Sequence, residues 1–327
     1  MSWQQTLLAP LSPLYEAASR LRVRAYRSKL FTTRKLPGRV VSVGNLTVGG
    51  TGKTPMVLWI AERLAATGKS VGILTRGYRG SGSTSDEVRL LQSRLPPSVK
   101  FGVGANRFEQ GSVLAHEGVD WFVLDDGFQH LKLARDVNVL LIDAANPFGG
   151  GRLLPAGRLR EPRSAMSRAD AIVITRSEHA PAIESAIRHD SSAPIFYSQA
   201  KLDGLFSADG DASAAATPSR DAKWFAFCGV GNPDAFAADL KQWGFNVTGK
   251  RAFEDHHAYT QAELDALALA AERAGAAHLI CTEKDKFNLP PGAGTRLPIF
   301  YCRISMRVDR EADLMRLVLG DAPGAVK

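Results

Sequence analysis

The chain has few cysteines and no long apolar run. Its 327 residues include only three cysteines, Cys228, Cys281 and Cys302, which lie far apart. An odd number of cysteines without metal-ligand spacing argues against a disulfide framework and favours a reduced, cytosolic setting. No run of about 18 apolar residues is present, so we predict no membrane-spanning helix. The N-terminus also lacks the apolar core and the small-residue cleavage site of a secretory signal.

The patterns of common nucleic-acid-binding proteins are also missing. We find no zinc-ligand spacing, RNA-recognition pattern, aromatic platform or internal repeat in the sequence. The net charge is nevertheless positive, because 41 lysines and arginines against 33 acidic residues give 41 − 33 = +8. A basic protein can bind nucleic acid, anionic lipid or phosphorylated substrates, and charge alone does not choose among them. The hydrophobic content of 45% is enough to fill one large or two ordinary domains.

Glycines are concentrated in one stretch, Gly44–Pro55, which has the pattern of a phosphate-binding loop. An apolar run, Val40–Val43, precedes it, and Met56–Leu64 after it can form a helix. A strand, a glycine-rich turn, Gly-Lys-Thr and a helix are the context that such a loop needs. Backbone N–H groups and the helix N-terminus would bind phosphate oxygens. Lys53 would reach the β- and γ-phosphates, and the Thr54 hydroxyl would bind Mg²⁺.

The loop departs from the usual pattern at one position. Thr47 stands where such loops have glycine, five residues before Gly52. We therefore expect the pair Gly49 and Gly50 to provide the curvature. The alternative is a glycine-rich turn that binds no ligand. The residues predicted to bind ATP are Thr47, Val48, Gly49, Gly50, Thr51, Gly52, Lys53 and Thr54.

Apolar runs that alternate with helical segments predict a parallel, doubly wound α/β sheet. The predicted strands are Val40–Val43, Ser70–Leu74, Asp120–Leu124, Val137–Ile142, Ala171–Ile174, Trp224–Cys228, His278–Cys281 and Ile299–Cys302. Helices are predicted at Asn232–Trp243 and Thr260–Ala274. Because Ala208–Asp221 is rich in Ala, Ser and Asp, it is interpreted as a linker or hairpin tip. We therefore predict two α/β domains with a cleft between them.

Two pairs of acidic residues are candidates for metal or proton chemistry. Asp125 and Asp126 end an apolar strand, where phosphate-loop enzymes place an Mg²⁺-binding Asp. The alternative is a pair of helix-capping acids, although the polar sequence Gly127–His130 that follows is unusual for a simple turn. Asp86 and Glu87 follow a loop, and one of them would be a base or a metal ligand. Helix N-capping acids are the alternative for this second pair.

Histidines and arginines in predicted loops are further candidates. Asp255, His256 and His257 lie together, and an Asp–His pair can tune an imidazole for proton transfer. From the residues alone, two solvated histidines are the favoured interpretation. The loop arginines, which suit phosphate but are equally explained as solvated charge, are Arg76, Arg79, Arg107, Arg152, Arg158, Arg160 and Arg163. For Lys284 and Asp285, a strand-end turn is favoured over a nucleotide contact.

The N-terminal segment combines apolar and basic residues. The apolar residues Leu14, Leu21 and Tyr26 alternate with basic ones between Leu11 and Leu30. The basic residues are Arg20, Arg22, Arg24, Arg27 and Lys29. This pattern predicts a basic amphipathic helix that lies on anionic lipid. The alternative, which the sequence supports equally, is a helix packed on the domain with a solvated basic face.

Taken together, these motifs resemble the tetraacyldisaccharide 4′-kinase family. The matching blocks are Gly44–Pro55, Arg76–Tyr78, Asp86–Glu87, Asp125–His130, Leu159–Pro162 and Asp255–His257, in family order. The loop with Thr47 is the form that the family has. Ser85–Val88 departs from the family pattern, which is closer to Gly-Asp-Glu-Pro.

The resemblance implies an enzyme on the cytoplasmic face of the inner membrane, bound peripherally. It would transfer the γ-phosphate of ATP to the 4′-hydroxyl of tetraacyldisaccharide 1-phosphate and form lipid IVA. The implied cofactors are ATP and Mg²⁺, and the implied partners are the acylated disaccharide phosphate and the lipid surface. No nucleic acid and a monomeric state are expected. The implied organisation is a membrane-associating helix (1–35), a phosphate-loop kinase domain (36–205), a linker (206–222) and a smaller α/β domain (223–327).

The resemblance also implies roles for individual residues. Lys53 would stabilise the γ-phosphoryl group, and Asp86 assisted by His256 would accept the proton of the 4′-hydroxyl. The implied metal ligands are Thr54, Glu87, Asp125 and Asp126. The implied substrate-binding residues are Asn45, Arg76, Tyr78, Arg107, His130, Arg160 and Glu161.

Two other classes remain open from the residues alone. A switch ATPase of the partitioning type also has Gly-Gly-x-Gly-Lys-Thr, but it places a lysine before the glycine pair, where this chain has Val48. ATP-dependent dimer formation without a lipid substrate would favour that class. A basic nucleic-acid-binding ATPase would be favoured by salt-sensitive DNA binding.

Overall fold

Every strand predicted from an apolar run is present in the structure, a computed structural model that describes residues 9–77, 85–208 and 218–321. The helices are α1 (Ser12–Arg27), α2 (Lys53–Ala66), α3 (Asp86–Arg94), α4 (Arg107–His116), α5 (Pro181–Arg188), α6 (Pro233–Gln242), α7 (Gln261–Arg273), α8 (Glu283–Lys286) and α9 (Glu311–Leu319). The strands are β1 (Arg39–Asn45), β2 (Val71–Thr75), β3 (Lys100–Val103), β4 (Trp121–Asp125), β5 (Val137–Asp143), β6 (Ala171–Thr175), β7 (Ile195–Ser207), β8 (Lys223–Cys228), β9 (Asn246–Ala252), β10 (His278–Thr282) and β11 (Ile299–Val308).

The chain divides into two units, and each is built from separate segments. The first unit contains residues 1–79, 94–199 and 306–327, and the second contains residues 80–93 and 200–305. The boundaries at 199 and 306 fall inside β7 and β11, so these two strands carry the chain from one unit to the other. The second unit also includes most of α3, which belongs to the first half of the sequence.

In the first unit the strands follow the order β3-β2-β4-β1-β5-β6-β7 and pair in parallel. Every residue of β2, β4, β5 and β6 is buried, as expected for a parallel sheet covered on both faces. Because β1 pairs with β4, with Val43 opposite Asp125, the loop after β1 and the acids after β4 share one edge of this sheet. Ligands of open α/β sheets bind at this carboxyl edge.

In the second unit β10 pairs in parallel with β11 and β8, and β8 pairs in parallel with β9. Side chains on the two faces of these strands form separate cores, one with α7 around Leu264 and Leu267 and one with α6 around Leu240. Trp224 is fully buried in the second of these cores. The parallel α/β organisation that the sequence predicts is thereby confirmed in both units.

Helix α1 lies on the first unit through polar contacts near its start. The Ser12 hydroxyl donates to the Leu153 carbonyl at 3.2 Å, and the Tyr15 hydroxyl donates to the Arg160 carbonyl at 3.0 Å. Ala25 is the buried residue of the helix, whereas Leu14 and Leu21 are 70% and 68% exposed. Within the described ranges, no helix is both long enough and apolar enough to cross a membrane.

Candidate active site

The loop between β1 and α2 has two glycines in the left-handed region. The φ angles are 115° at Gly49 and 84° at Gly52, while Gly50 has no positive φ. The curvature therefore comes from Gly49 and Gly52, and the expectation that the Gly49–Gly50 pair provides it is wrong for Gly50. A side chain at either position would be strained, because β-carbons clash with the backbone at such angles.

Helix α2 begins at Lys53, with Gly52 as its N-cap. Its first turn, which contains Thr54, has no acidic residue, so the positive end of the helix dipole is not neutralised there. Thr51, just before the cap, is buried, and its carbonyl accepts a hydrogen bond from the Thr175 hydroxyl at 3.3 Å. A glycine-rich turn that leads into such a helix start fits a phosphate group.

The first part of the loop is held by the segment Gly149–Pro162. The amide of Val48 donates to the Arg158 carbonyl at 2.8 Å, and the Arg158 guanidinium donates back to the Val48 carbonyl at 2.9 Å. Thr47 forms an antiparallel bridge with Leu159. Thr47 and Val48 are thus fixed through their main chain. The residue type at position 47 therefore matters less than in a loop whose first turn depends on glycine.

The ammonium group of Lys53 lies between two side chains at the edge of the sheet. Its Nζ is 3.4 Å from Oδ1 of Asn45 and 3.7 Å from Oδ1 of Asp126. Asn45 is fully buried, and its Nδ2 donates to the Thr47 carbonyl at 2.8 Å, which fixes its amide. The lysine is therefore held beside the loop by a neutral and a charged partner. Both contacts can exchange for an anionic ligand.

Asp126 is the centre of a charged network. Nη1 of Arg160 is 2.9 Å and 2.8 Å from its two carboxylate oxygens, and the same nitrogen lies 3.5 Å from Oε1 of Gln129. Burial raises the pKa of Asp126, but Lys53 and Arg160 outweigh that effect and lower it. Asp126 also has φ 49°, a left-handed angle that is uncommon for a residue with a side chain. The structure thus brings together Asn45, Lys53, Asp126 and Arg160, all predicted from the sequence.

Asp125, the neighbour of Asp126, points to another set of residues. It is buried, and its Oδ2 accepts a hydrogen bond from the Thr75 hydroxyl at 3.2 Å. Arg107, at the start of α4, is 7% exposed and lies within electrostatic range of Asp125. Burial lowers the pKa of Arg107, an effect that Asp125 opposes and Arg76 reinforces. Arg76, exposed at the end of β2, therefore lies within electrostatic range of the same arginine.

His130 is neutral at physiological pH in this environment. Burial lowers the pKa of its imidazole to about 4, and Arg107 and Arg135 add to the effect. A neutral imidazole can donate one hydrogen bond and accept another, which suits a sugar hydroxyl. His130 therefore fits the predicted role in substrate binding, which remains a prediction.

Glu161 has a partner that the sequence did not indicate. Its buried carboxylate pairs with Arg168 at 2.8 Å, and the Arg168 guanidinium lies over the Phe128 ring at 4.5 Å. This pair fixes the loop that presents Arg160. The predicted contact of Glu161 with a substrate remains a prediction, and Tyr78 lies outside the described residues.

A second cluster lies in the second unit, around Asp86. Nδ1 of His256 is 3.0 Å from both carboxylate oxygens of Asp86, and Nδ2 of Asn288 donates to Oδ2 at 3.1 Å. Burial raises the pKa of Asp86, but the hydrogen bond from His256 and the charge of Lys284 outweigh it and lower the pKa to about 2. The same hydrogen bond raises the pKa of His256. The predicted Asp86–His256 pair therefore exists, and the interpretation of His256 as a solvated residue is wrong.

Lys284 completes the second cluster. Its Nζ lies 2.9 Å from Oδ1 of Asp255, 3.4 Å from Nε2 of His256 and 3.8 Å from Oδ2 of Asp86. Because an ammonium group only donates, the contact with Nε2 requires that nitrogen to accept. The proton of a neutral His256 then lies on Nδ1, where it is donated to Asp86. Glu87 also belongs to this cluster, with Oε1 3.9 Å from the Lys284 ammonium.

The remaining residues of these motifs have structural roles. His257 stacks on Phe253 and its Nε2 lies 3.1 Å from Glu263, which takes part in the N-terminal capping box of α7. Asp285 is completely buried and accepts a hydrogen bond from the Tyr259 hydroxyl at 2.8 Å. Lys284 directly precedes Asp285 in the short helix α8. Because the Asp285 carboxylate is anchored, this helix fixes the position of Lys284.

Sequence reasoning missed or underrated several members of both clusters. Gln129, Asn288 and Arg168 were not singled out, and Lys284 was interpreted as part of a turn. One local signal existed: Thr282 and Asp285 form a capping box, which defines a helix start and thus the direction of Lys284. The Asn288 contact joins residues 202 positions apart, and no local pattern predicts such a pair.

Oxygen donors at the edge of the first sheet fit a magnesium ion. Thr54 supplies a hydroxyl at the start of α2, and Asp125 supplies a buried carboxylate in register with the strand before the loop. Asp126 is already paired with Arg160 and Lys53. In the part of the chain that the structure describes, no three His, Cys, Asp or Glu residues form a complete metal site. A cation here would take ligands from the nucleotide phosphates as well, as is usual for Mg²⁺.

Comparisons with known proteins agree on one family. The sequence profile described as "LpxK: Tetraacyldisaccharide-1-P 4′-kinase" matches residues 4–321. A tetraacyldisaccharide 4′-kinase of Geobacter metallireducens is 41% identical over 319 residues, which cover 91% of this chain and 92% of that protein. One of Geobacter sulfurreducens is 39% identical over 322 residues, which cover 92% and 89% respectively.

A solved structure supports the same relationship. A crystal structure of the "apo" form of LpxK from Aquifex aeolicus in complex with ATP has 32% sequence identity to this chain and a TM-score of 0.74. The match covers 97% of this chain and 99% of that one. The fold predicted from the sequence, a phosphate-loop α/β sheet with further α/β structure, is therefore confirmed.

Proposed function

Since the chain belongs to the tetraacyldisaccharide 4′-kinase family, we propose that it transfers the γ-phosphate of ATP to the 4′-hydroxyl of tetraacyldisaccharide 1-phosphate, which forms lipid IVA. The observation that carries this proposal is the family match over residues 4–321, because that range includes both charged clusters. Phosphoryl transfer depends on positioning and charge neutralisation more than on covalent chemistry. The clusters supply donors and acceptors of the types that such a reaction needs.

In the first unit, the residues of the loop would bind the nucleotide. Amides near Gly49 and Gly52 and at the start of α2 would donate hydrogen bonds to the β- and γ-phosphates. Lys53 would exchange its contact with Asp126 for the γ-phosphoryl oxygens, where a positive charge is most useful as the bond to the leaving group lengthens. Asp126 would then retain Arg160 as its partner, so that its charge does not repel the nucleotide.

Thr54 and Asp125 would bind Mg²⁺. When bound, this ion neutralises phosphate charge and orients the β- and γ-phosphates. The Thr75 hydroxyl donates to Oδ2 of Asp125 at 3.2 Å and so orients this carboxylate. Glu87 remains a predicted metal ligand. It belongs to the second unit, where its charged neighbour is Lys284.

In the second unit, Asp86 would be the general base. A base must be ionised to accept a proton, and the partners of Asp86 keep it so throughout the physiological range. His256 donates to that carboxylate through Nδ1 and orients it, while Lys284 contacts Nε2 of the same ring at 3.4 Å. The hydrogen bond from His256 stabilises the anionic form of Asp86 until the 4′-hydroxyl proton arrives.

The acceptor would be bound by residues with neutral and cationic donors. We assign its sugar hydroxyls to His130 and Asn45, and its phosphate to Arg76, Arg107 and Arg160. Arg76 is exposed, Asn45 and Arg160 lie beside the loop, and Arg107 lies within electrostatic range of Arg76 and Asp125. Tyr78 and Glu161 are kept as further candidates. The exposed leucines of α1, Leu14 and Leu21, would place the protein on a lipid surface, where the acyl chains of the acceptor lie.

We place the enzyme on the cytoplasmic face of the inner membrane, as a peripheral monomer that binds no nucleic acid. The phosphate of the acceptor and the anionic lipids would both favour a basic protein there.

The test is the transfer of labelled γ-phosphate from ATP to tetraacyldisaccharide 1-phosphate in detergent micelles with Mg²⁺. We expect label in the lipid with the wild-type protein and a loss of roughly a hundredfold or more with Lys53→Ala. Lys69→Ala is the matched control, because Lys69 is exposed just beyond the other end of α2. ATP hydrolysis without lipid label would refute the lipid kinase assignment and favour a switch ATPase.

A further inference from the structure

A cavity of about 450 Å³ lies between α1 and the segment Glu161–Arg168 in the first unit. One wall is formed by α1, with Arg20, Arg24 and Arg27 among its lining residues. The other wall includes Arg168, whose charge is matched by Glu161 at 2.8 Å. None of the roles proposed above uses the three arginines of α1.

Two of these arginines have no compensating charge nearby. Arg20 pairs with Glu16 one turn away. For Arg24 and Arg27, no carboxylate of the described residues lies within the 4.0 Å of an ion pair. They are three positions apart on the helix, where like charges lie close and repel each other. An anion in the cavity would relieve this repulsion.

The other lining groups indicate what kind of anion fits. Ser19, Ser164 and Ser167 line the same cavity together with the apolar Val23, and the Ser167 hydroxyl donates to the Ser164 carbonyl at 2.8 Å. Guanidinium and hydroxyl groups together are typical donors for phosphate oxygens. Because apolar surface is also present, the cavity suits a phosphate that is esterified rather than a bare ion.

The same helix also has exposed apolar side chains. Leu14 and Leu21 are 70% and 68% exposed and do not line the cavity. A helix with leucines exposed to solvent and arginines beside them is of the kind that lies at a lipid interface. A phosphate ester attached to acyl chains would occupy both features, with the phosphate in the cavity and the chains beside the leucines.

We propose that this cavity is a binding site for the phosphodiester headgroup of an anionic membrane phospholipid. It would hold α1 at the level of the headgroups and so fix the depth of the first unit at the membrane surface. This inference rests on the proposed contact of the enzyme with a lipid surface. It differs from acceptor binding, because the ligand is a bulk lipid and not the substrate.

The test measures binding of the full-length protein to vesicles of phosphatidylcholine with and without phosphatidylglycerol. We expect Arg24→Gln/Arg27→Gln to need roughly tenfold more of the mixed lipid for half-maximal binding, and to lose the preference for phosphatidylglycerol. The matched control is Arg22→Gln/Lys29→Gln, which removes two charges from the same segment outside the cavity. It should weaken binding clearly less than Arg24→Gln/Arg27→Gln does, and it should keep the preference for phosphatidylglycerol. Equal losses in both double variants would overturn the proposal, because they would indicate diffuse charge instead of a site.

Two further arms identify the source of the phosphate. Inorganic phosphate, added at constant ionic strength, should compete with vesicles for the wild type and not for Arg24→Gln/Arg27→Gln. Equal competition in both would overturn the site. In phospholipid-free micelles, this variant should retain the wild-type KM for tetraacyldisaccharide 1-phosphate. If the KM rises by the same factor by which vesicle binding weakens, the cavity binds the acceptor's own phosphate instead. Absence of kinase activity in the wild type would contradict the proposed function. The vesicle measurements would still test the lipid site, because they do not depend on kinase activity.

Discussion

Replacing Asp86 with asparagine should have a pH-dependent cost in stability as well as a cost in catalysis. The pKa of Asp86 is about 2, against an ordinary value of 3.8, and the side chain is buried. This difference corresponds to about 2 kcal/mol of folding free energy that depends on the ionised carboxylate. Because the pKa is depressed, the contribution is fully present above about pH 4 and is lost as the pH falls through about 2. Asparagine keeps the shape of the side chain but has no charge to offer His256 and Lys284.

Urea unfolding and hydrogen exchange of wild type and Asp86→Asn would measure this contribution. Hydrogen exchange of the amides in α3 measures the stability of the second unit, even if the two units unfold separately. We expect a difference of about 2 kcal/mol at about pH 7, roughly halved at about pH 3. Turnover should fall by about 10²–10⁴, the range for loss of a general base. The control is Asp265→Asn, an exposed carboxylate on α7, which should change stability by less than about 0.5 kcal/mol. A difference that does not vary with pH, or near-normal turnover, would refute the reasoning.

Three further predictions concern residues around the two clusters. Lys284→Met removes the donor that faces Nε2 of His256, so turnover should fall with little change in the KM for ATP. In the same assay, Lys284→Arg should retain part of the turnover that Lys284→Met loses. His130 has a pKa of about 4, so the pH–rate profile of His130→Gln should keep the wild-type shape above about pH 6. As the pH falls from about 6.5 to about 4, the wild type should lose more stability than the variant, because its native imidazole resists protonation. A new ionisation near neutral pH would contradict this. Glu161→Gln leaves the half-buried Arg168 without its carboxylate, so the free energy of unfolding should fall by about 1–3 kcal/mol in thermal melts. Wild-type stability with a raised KM for the acceptor would assign Glu161 to substrate binding instead.

The central strands could be predicted because strands that are buried on both faces appear in the sequence as unbroken apolar runs. Val137–Asp143 and Ala171–Thr175 are buried at every position, as parallel strands between two layers of helices must be. Strands β3, β7 and β9 were not predicted, since β3 is short, β9 is largely exposed and β7 has only a short buried start followed by partly exposed residues. Tertiary pairing, and not local composition, makes these three segments extended.

The candidate sites could be predicted only where their parts are close in sequence. Gly49, Gly52 and Lys53 lie within five residues, so a motif was enough to find them. The Asp86–His256 pair was suggested by family resemblance, because spacing alone favoured a solvated histidine. Asn288 came from the structure, because its contact with Asp86 depends on how distant segments pack.

The division of the second unit between residues 80–93 and 200–305 has a consequence for synthesis on the ribosome. Asp86 and His256 are 170 positions apart, so the buried acid emerges long before the imidazole that stabilises its charge. At about 5–20 residues per second, roughly 10–30 s pass between them. The first unit is likewise incomplete until α9 has been made. The members of the first charged cluster all precede residue 161, whereas the second cluster requires Asn288. The second cluster can therefore form only after most of the chain has been made.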